Sequence, residues 1–199
     1  MPTVVVPFRG PAGKQRLAPL PAPERALLAQ AMLADVLAAA RGIAEPLVVA
    51  PVEAHAVAAQ AGATRVVADP GGGQGAAVAA ALAMADGAAL VVNADLPCAT
   101  AADLRALLAA VPAGGLALAE ARDGTTNALA LASAAVYRPL YGAGSADRFR
   151  ALAASRTEPI SALMDDVDTF DDLLRLEPRL GAATRRALAS LHQRVEAAA

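Results

Sequence analysis

Aromatic residues make up only 3% of the chain, tryptophan does not occur, and Cys98 is the only cysteine. A single cysteine excludes an internal disulfide and a cluster of thiolate metal ligands. The shortage of aromatics removes the side chains on which nucleic acid bases stack, and a formal net charge of −2 gives no large positive field for a polyanion. We therefore expect no nucleic acid partner, and we interpret Cys98 as a small apolar residue.

Long apolar runs are also missing, although 56% of the residues are hydrophobic. No segment reaches the length of a membrane-spanning helix, so no membrane partner is expected. The first residues lack the basic stretch and small-residue cleavage site of a signal peptide, which predicts a cytoplasmic protein. The length and the lack of an obvious linker predict one domain over residues 1–199. A homodimer is compatible with the sequence.

Short apolar segments alternate with helical segments along most of the chain. This order predicts an α/β fold of three layers, in which a mainly parallel sheet carries helices on both faces. Ligands of such sheets bind beyond the carboxyl ends of the strands, so we expect the site in the loops that follow them. The predicted strands are Thr3–Phe8, Pro46–Ala50, Thr64–Ala68, Ala88–Val92, Leu116–Ala119 and Ala128–Ala132. The predicted helices are Pro23–Ala40, Glu53–Ala61, Gln74–Met84, Thr100–Ala110, Ala146–Ser155 and Ala182–Ala199.

Three carboxylates are candidates for a metal site. Asp166 and Asp168 are separated by one apolar residue, so on an extended backbone their side chains point the same way. Asp95 follows the fourth predicted strand, and three carboxylates from two strand ends could hold Mg²⁺. The same late segment also fits the start of a helix, since Asp168 or Thr169 could cap it and Thr169 with Asp172 fits a capping box. These residues alone leave both interpretations open.

The loop after the first strand carries glycines and two closely spaced cations. Gly10 and Gly13 free the backbone to approach a ligand, and Lys14 and Arg16 can face the same way in an extended loop. The position directly after a strand favours phosphate binding over an ordinary solvated basic loop. The loop is not a Walker A motif, because Gln15 replaces the serine or threonine that would bind magnesium.

A second glycine-rich loop lies between the third predicted strand and the next helix. Gly71, Gly73 and Ala76 satisfy the G-x-G-x-x-A pattern, which leaves an NAD(P)-binding oxidoreductase open. That pattern normally follows the first strand of its fold, and here Pro70 interrupts the usual direct turn. A solvated surface loop is a further alternative. Contact between the backbone of this loop and a nucleotide is the interpretation we favour.

Small polar residues precede the last predicted strand. The side chains of Thr126 and Asn127, with free backbone N–H groups, suit an anionic ligand, although the preceding Asp123-Gly124 pair equally favours a β-turn. Farther along, the segment from Gly142 to Ser145 leads into a predicted helix. Ser145 could cap that helix or lie at an anion site, and both can hold at once.

Together these motifs resemble the 2-phospho-L-lactate and phosphoenolpyruvate guanylyltransferases of coenzyme F-420 biosynthesis. The resemblance covers most of the chain, and the order of the motifs is specific even where each motif is not. The matching segments are Pro7-Phe8, Ala12 to Pro19, Glu24-Arg25, Ala31 to Leu37, Ala94 to Pro97, Arg122 to Leu129, Gly142 to Ser145, and Asp166 to Thr169 with Asp172-Leu173.

The resemblance implies a GT-A-like nucleotidyltransferase fold and an enzyme that uses GTP and Mg²⁺ to transfer GMP to a small phosphorylated carboxylic acid, releasing pyrophosphate. It implies catalytic roles for Lys14, Arg16 and Asp95, and metal binding by Asp95, Asp166 and Asp168. The residues implied for nucleotide binding are Lys14, Arg16, Asp69, Gly71, Gly72, Gly73 and Gly75. Those implied for the phosphorylated acid are Thr126, Asn127, Gly142 and Ser145, with Arg122 as a further candidate.

Two residues depart from the family pattern. Gln74 stands in a loop where family members often carry asparagine, and Phe149 stands where they often carry histidine. If that histidine contacts substrate, specificity here differs; if it only packs, phenylalanine is an acceptable replacement. An ionised phosphate is already nucleophilic at neutral pH, so the lack of a histidine in any motif fits this chemistry. Phosphoenolpyruvate, 2-phospholactate and 3-phosphoglycerate all remain open as acceptors, as does another cofactor or sugar-phosphate nucleotidyltransferase.

Overall fold

In a computed structural model of the protein, residues 1–11, 15–18 and 20–198 are described. These residues contain a seven-stranded sheet. Its strands are β1 (Thr3–Pro7), β2 (Leu47–Ala50), β3 (Val66–Ala68), β4 (Ala89–Val92), β5 (Leu116–Glu120), β6 (Thr126–Leu131) and β7 (Ser155–Thr157). The α-helices are α1 (Ala22–Arg41), α2 (His55–Gln60), α3 (Gln74–Leu82), α4 (Ala101–Ala109), α5 (Ser145–Arg150), α6 (Ser161–Met164), α7 (Phe170–Leu176) and α8 (Ala182–Ala198).

The strand order across the sheet is β3-β2-β1-β4-β6-β5-β7. Strand β1 runs parallel to β2 and β4, β2 runs parallel to β3, and β5 runs parallel to β7. Strand β6 alone among them is antiparallel to its two neighbours, β4 and β5. The prediction of a mainly parallel α/β sheet is therefore confirmed.

The reversed direction of β6 determines which residues reach the site. Val92 at the end of β4 is paired with Ala128 near the start of β6. Just beyond this pair, the backbone N–H of Asn93 donates to the carbonyl oxygen of Asn127 across 3.0 Å. The first residues of β6 therefore lie at the same edge of the sheet as the carboxyl ends of β1 and β4.

Alternation along the central strands divides the core between the two faces of the sheet. Val4 and Val6 of β1 belong to the cluster that also contains Leu33 and Val36 of α1. Val5 points the other way, into the cluster that contains Val78 of α3. All four residues of β4 are buried, as is typical of a strand covered on both faces. Helices on both faces confirm the predicted three layers.

Helix α8 packs on the outer face of α1, and a side chain of α1 fixes its start. Leu28 and Met32 of α1 share an apolar cluster with Leu188 of α8. The carboxylate of Asp35 accepts hydrogen bonds from the backbone N–H groups of Ala183 and Thr184, across 2.9 and 2.8 Å. These N–H groups belong to the first turn of α8, where no carbonyl of the helix can reach them. Asp35 therefore caps a helix that is distant in sequence.

The helix predicted at Ala146–Ser155 is wrong at its end, because α5 ends at Arg150 and a strand begins at Ser155. The hydroxyl of Ser155 donates to the carbonyl oxygen of Arg150 across 3.0 Å, at the end of the helix. Strand β7 is three residues long, polar and at the edge of the sheet, so no hydrophobic pattern indicates it. Helix α6 has four residues, which is too short for a helical period in the sequence to indicate it.

Within the described ranges, every helix is too short or too polar to span a lipid bilayer. Cys98 is buried, and burial raises the pKa of its thiol, as expected for a core residue. The cytoplasmic location and the homodimer stay predictions from the sequence.

Candidate active site

Three carboxylates from two distant segments meet beyond the end of β4. Asp95, Asp166 and Asp168 each place one oxygen within 4.8 Å of the oxygens of the other two, and all three side chains are partly exposed. Carboxylate oxygens are the preferred ligands of hard divalent cations, so the donor set fits such an ion. The structure thus brings together the three residues that the sequence indicated as metal ligands.

The expectation that all three carboxylates follow strand ends is wrong. Asp95 follows β4, but Asp166 and Asp168 lie on the stretch between α6 and α7. Between them, Val167 buries its side chain against α7 and α8, while its backbone N–H donates to the carbonyl oxygen of Asp95 across 3.0 Å. This contact directly joins the two segments that carry the triad.

Helix capping and the carboxylate triad occur together in the late segment. The hydroxyl of Thr169 accepts from the backbone N–H of Asp172, and Oδ2 of Asp172 accepts from the backbone N–H of Thr169 across 2.9 Å. The same Oδ2 accepts from the N–H of Asp168 across 3.3 Å. The capping box is therefore confirmed with Thr169 as the cap, and the carboxylate of Asp168 belongs to the triad.

The surroundings of Asp166 disfavour the charged form of its carboxyl. Burial raises the pKa of its carboxyl to about 6, and the nearby charge of Asp95 adds to the rise. A hydrogen bond from Nδ2 of Asn127 to Oδ1 of Asp166, 3.2 Å long, opposes this rise. Asn127 is itself buried. The structure thus places Asn127, predicted as a ligand of the phosphorylated acid, against a triad carboxylate.

Two cavities lie at this edge of the sheet, and Asp95 and Asp168 of the triad line the first of them. The first, of about 340 Å³, we call the Asp95 cavity; its lining includes Phe8, Gly10, Val49, Asp69, Asp95 and Asp168. The second, of about 750 Å³, we call the Thr126 cavity; its lining includes Gly72, Gly75, Thr125, Thr126, Tyr141 and Gly142. Four residues line both cavities: Arg9, Gly73, Gln74 and Asn93. The arrangement can hold two ligands side by side, next to a cation.

A family model described as Guanylyl transferase CofC like matches residues 2–176. The chain belongs to this family. A phosphoenolpyruvate guanylyltransferase from Mycolicibacterium gilvum (strain PYR-GCK) is 34% identical over 201 residues, which cover 94% of each chain. Another, from Sphaerobacter thermophilus, is 45% identical over 93 residues, which cover 44% of this chain and 45% of the relative.

The fold agrees with this membership. A nucleotidyl transferase from Methanothermobacter thermautotroptrophicus superposes with a TM-score of 0.61 at 20% identity, covering 96% of this chain and 99% of that one. At such identity the likeness shows the fold alone. The family resemblance, the GT-A-like fold and the nucleotidyltransferase class predicted from the motifs are confirmed.

Two described arginines of the first loop, Arg9 and Arg16, lie at the candidate site. Nη1 of Arg16 donates to Oδ2 of Asp168 across 3.0 Å, with the arginine side chain largely exposed. Lys14, with the same predicted role, lies outside the described residues. Arg9 is exposed and lines both cavities, but the sequence reasoning did not select it. Its position directly after β1 was the signal that could have identified it.

The glycine loop after β3 has a turn that only glycines adopt without strain. Oδ1 of Asp69 accepts from the N–H of Gly71 across 2.8 Å, and Gly71, Gly72 and Gly73 all have positive φ angles near 85°. A side chain would be strained at these angles. Gly75, predicted to bind nucleotide, lies on the Thr126 cavity, where a Cβ would come 3.0 Å from Cβ of Pro139.

Gln74 and Asn93 form the partition between the cavities. Nε2 of Gln74 donates to Oδ1 of Asn93 across 2.7 Å, and Nδ2 of Asn93 donates to the carbonyl oxygen of Thr126 across 3.3 Å. The first departure from the family pattern therefore contributes a direct contact between α3 and the residue after β4.

Two predicted acid-binding hydroxyls are bonded to each other. Oγ of Ser145 donates to Oγ1 of Thr126 across 3.1 Å, and both residues are buried. Thr126 lines the cavity named after it, together with Gly142, whose φ is +117°. A hydroxyl that accepts one hydrogen bond can still donate its own proton to another group.

Phe149 packs in the core. Its side chain is fully buried, with ring centroids 6.3 Å from Tyr137 and 5.3 Å from Tyr141. Of these three residues, Tyr141 lines the Thr126 cavity. The second departure from the family pattern therefore fills space behind the cavity wall.

Proposed function

We propose that this protein transfers GMP from GTP to phosphoenolpyruvate and releases pyrophosphate, forming the activated intermediate of coenzyme F-420 biosynthesis. Membership of the guanylyl transferase family supports the reaction, and the names of its relatives support the acceptor. The observation that carries the proposal is the carboxylate triad, two members of which line a cavity that shares Arg9 and Asn93 with a second cavity.

The Asp95 cavity is the proposed nucleotide site. Asp69 and the backbone of residues 71–73 would contact the guanosine, because Asp69 and Gly73 of this loop line the cavity. Lys14 and Arg16 would bind the triphosphate. Arg16 already lies beside the triad through its ion pair with Asp168. Guanidinium groups suit phosphate because they donate two parallel hydrogen bonds.

The Thr126 cavity is the proposed acceptor site. Its lining combines the hydroxyl of Thr126, the backbone of Gly142 and the guanidinium of Arg9. Ser145 would support the hydroxyl of Thr126 from behind, and Asn127 would hold Asp166. A small acid that carries both a phosphate and a carboxylate needs several such donors in a confined space. Arg9 would contact both ligands, since it lines both cavities.

The triad would hold Mg²⁺. When bound, this ion would offset the repulsion between two phosphorylated substrates and the charge that develops on pyrophosphate. Asp95 and Asp168 line the nucleotide cavity, so they would hold the ion on the side where the triphosphate is proposed to bind. Asn127 would keep Asp166 oriented as a ligand.

In the reaction, a phosphate oxygen of the acceptor attacks the α-phosphorus of GTP. The bond from that phosphorus to the oxygen bridging to the β-phosphate breaks, and pyrophosphate leaves with the electron pair. The new phosphoanhydride joins GMP to the acid. The attacking phosphate is already ionised, so the side chains need only position and neutralise the two anions.

The proposal is tested by pyrophosphate release from GTP with phosphoenolpyruvate, 2-phospholactate or 3-phosphoglycerate, with ATP in parallel and products identified by mass. We expect release with GTP and phosphoenolpyruvate. Asp95→Asn and Asp168→Asn should lower kcat at least ~10²-fold while the proteins stay folded. Glu120→Gln serves as a control and should retain activity. It removes the ion pair between Glu120 of β5 and Arg150 of α5. Full activity in both aspartate variants would contradict the metal assignment.

A further inference from the structure

Asp165 stands immediately before the segment that supplies two of the triad carboxylates, and its side chain is only 4% exposed. Three arginines bind it. Nε and Nη2 of Arg122 both lie 2.9 Å from Oδ1. Nη1 of Arg175 lies 3.1 Å from the same oxygen, and Nη2 of Arg179 lies 2.5 Å from Oδ2. Both oxygens of the carboxylate are therefore occupied.

The three arginines come from separate parts of the fold. Arg122 follows β5, Arg175 lies in α7, and Arg179 ends the short helix at Glu177–Arg179. Burial alone would raise the pKa of Asp165, but hydrogen bonds from Arg179, Arg122 and Arg175 outweigh it and hold this pKa below its usual value. Both oxygens of this buried carboxylate accept hydrogen bonds from arginines of separate elements, so its position is fixed from several directions.

Each of the next three residues, Asp166 to Asp168, forms a hydrogen bond to another part of the fold. The carboxylate of Asp166 accepts from Asn127, the N–H of Val167 donates to the carbonyl of Asp95, and the N–H of Asp168 donates to Asp172. Asp165 is the first attachment in this series, and it ties the segment to the loop after β5 and to α7 at once. We propose that Asp165, through its ion pairs with Arg122, Arg175 and Arg179, is a positioning residue that holds Asp166 and Asp168 in place to bind the metal ion.

This inference rests on the proposed metal-binding role of the triad. Asp165 is not one of the three residues whose oxygens converge. Its effect would reach the ion through the backbone. Residues that orient metal ligands typically contribute about 10- to 100-fold to metal affinity.

If Asp165 acted only through its negative charge, its effect on cation affinity could be distinguished from positioning by comparing two variants. Asp165→Asn keeps the shape and removes a negative charge, so either account predicts weaker cation binding. Arg179→Met removes a positive charge near the site. A purely electrostatic effect would then tighten cation binding, whereas loss of positioning would weaken it. Arg179 is partly exposed, so this variant is also the one expected to disturb folding less.

The experiment measures Mn²⁺ binding to the full chain by calorimetry and by the electron paramagnetic resonance signal of free Mn²⁺, without nucleotide. The variants are Asp165→Asn, Arg179→Met, Asp168→Ala and the ion-pair control Glu120→Gln, each checked for folding by circular dichroism. We expect about 10-fold weaker binding in Asp165→Asn. We expect a smaller loss in Arg179→Met and unchanged binding in Glu120→Gln.

Wild-type affinity in Asp165→Asn, or tighter binding in Arg179→Met, would overturn the inference while leaving the triad intact. An equal loss of affinity in Glu120→Gln would also overturn it, since any ion pair would then matter. If the wild type does not bind Mn²⁺, or if Asp168→Ala binds it equally well, the proposed metal site itself fails. The two failures are therefore distinguishable.

Discussion

Arg16 and Asp168, 152 positions apart in sequence, form an ion pair in which Nη1 lies 3.0 Å from Oδ2. The first is a predicted ligand of the nucleotide phosphates, and the second is a predicted ligand of the metal. The contact therefore joins the two halves of the proposed catalytic apparatus. When nucleotide and metal bind, Arg16 would exchange the carboxylate for a phosphate, and the cation would take its place at Asp168.

The ion pair predicts opposite effects of Arg16→Ala on two ligands. Without nucleotide, Mn²⁺ should bind about 2- to 5-fold more tightly, because an exposed ion pair competes by up to roughly 1 kcal/mol. With GTP and Mg²⁺, kcat/KM should fall about 10²-fold, since a phosphate ligand is lost. Calorimetry and pyrophosphate release measure the two effects. Arg186→Ala, which removes an exposed arginine of α8, is the control and should change neither quantity. Weaker Mn²⁺ binding in Arg16→Ala would contradict the exchange.

Asp166 predicts how pH changes the metal-free protein. Burial raises its pKa to about 6 in the folded state, above the ordinary value of 3.8. Below both values the group is neutral in either state. As pH rises from about 4 to 6, the unfolded chain ionises first, so this group lowers stability, and the full cost is present above pH 6. Asp166→Asn should therefore raise the free energy of unfolding at pH 8 by about 1 kcal/mol, and much less at pH 4.5.

Urea denaturation in the presence of a chelator measures this difference. The same group predicts that Mn²⁺ affinity of the wild type falls as pH drops below about 6, because a proton then competes with the cation. A pH-independent stability difference between wild type and Asp166→Asn would contradict the raised pKa.

Asp35 predicts a stability effect without a catalytic one. Asp35→Ala removes the acceptor of two N–H groups in the first turn of α8 and should cost about 1 to 2 kcal/mol of unfolding free energy. Gly181→Ala should also destabilise, because its Cβ would come 2.2 Å from Cγ of Asp35. Denaturation curves measure both. Asp86→Ala, at an exposed loop position, is the control and should stay within about 0.5 kcal/mol. A changed KM for either substrate in Asp35→Ala would contradict the purely structural role.

Substitution of Phe149 is expected to lower stability and to leave the preference among acceptors unchanged. Replacing it with the histidine of the family pattern would bury a polar ring between Tyr137 and Tyr141, and should cost about 1 to 3 kcal/mol of stability. The ratio of kcat/KM for phosphoenolpyruvate over 3-phosphoglycerate should stay within about 2-fold, because Tyr141, and not Phe149, lines the proposed acceptor cavity. A 2-fold change corresponds to less than about 0.5 kcal/mol. A changed order of acceptors in Phe149→His would show that this position reaches the substrate.

The sequence by itself determined the elements and the chemical types of the site. Apolar runs and their alternation located the six main strands, because burial on both faces of a sheet leaves a local pattern. The capping box of Thr169 with Asp172 was predicted as one of two interpretations of that segment and is confirmed. Such boxes depend on contacts over three residues, so a short stretch of sequence contains everything that forms them.

Only the tertiary structure decided which side chains meet. The insertion of an antiparallel β6 between β4 and β5 brings Asn127 against Asp166, and the packing of α7 brings Arg175 to Asp165. Asp165 looked in the sequence like one more acidic residue, and Arg122 like a candidate for the substrate. Their pairing spans 43 positions and depends on how the sheet and helices assemble, which no local pattern records. Charged side chains find their partners through the fold, because the free energy of burying a charge is set by everything that surrounds it.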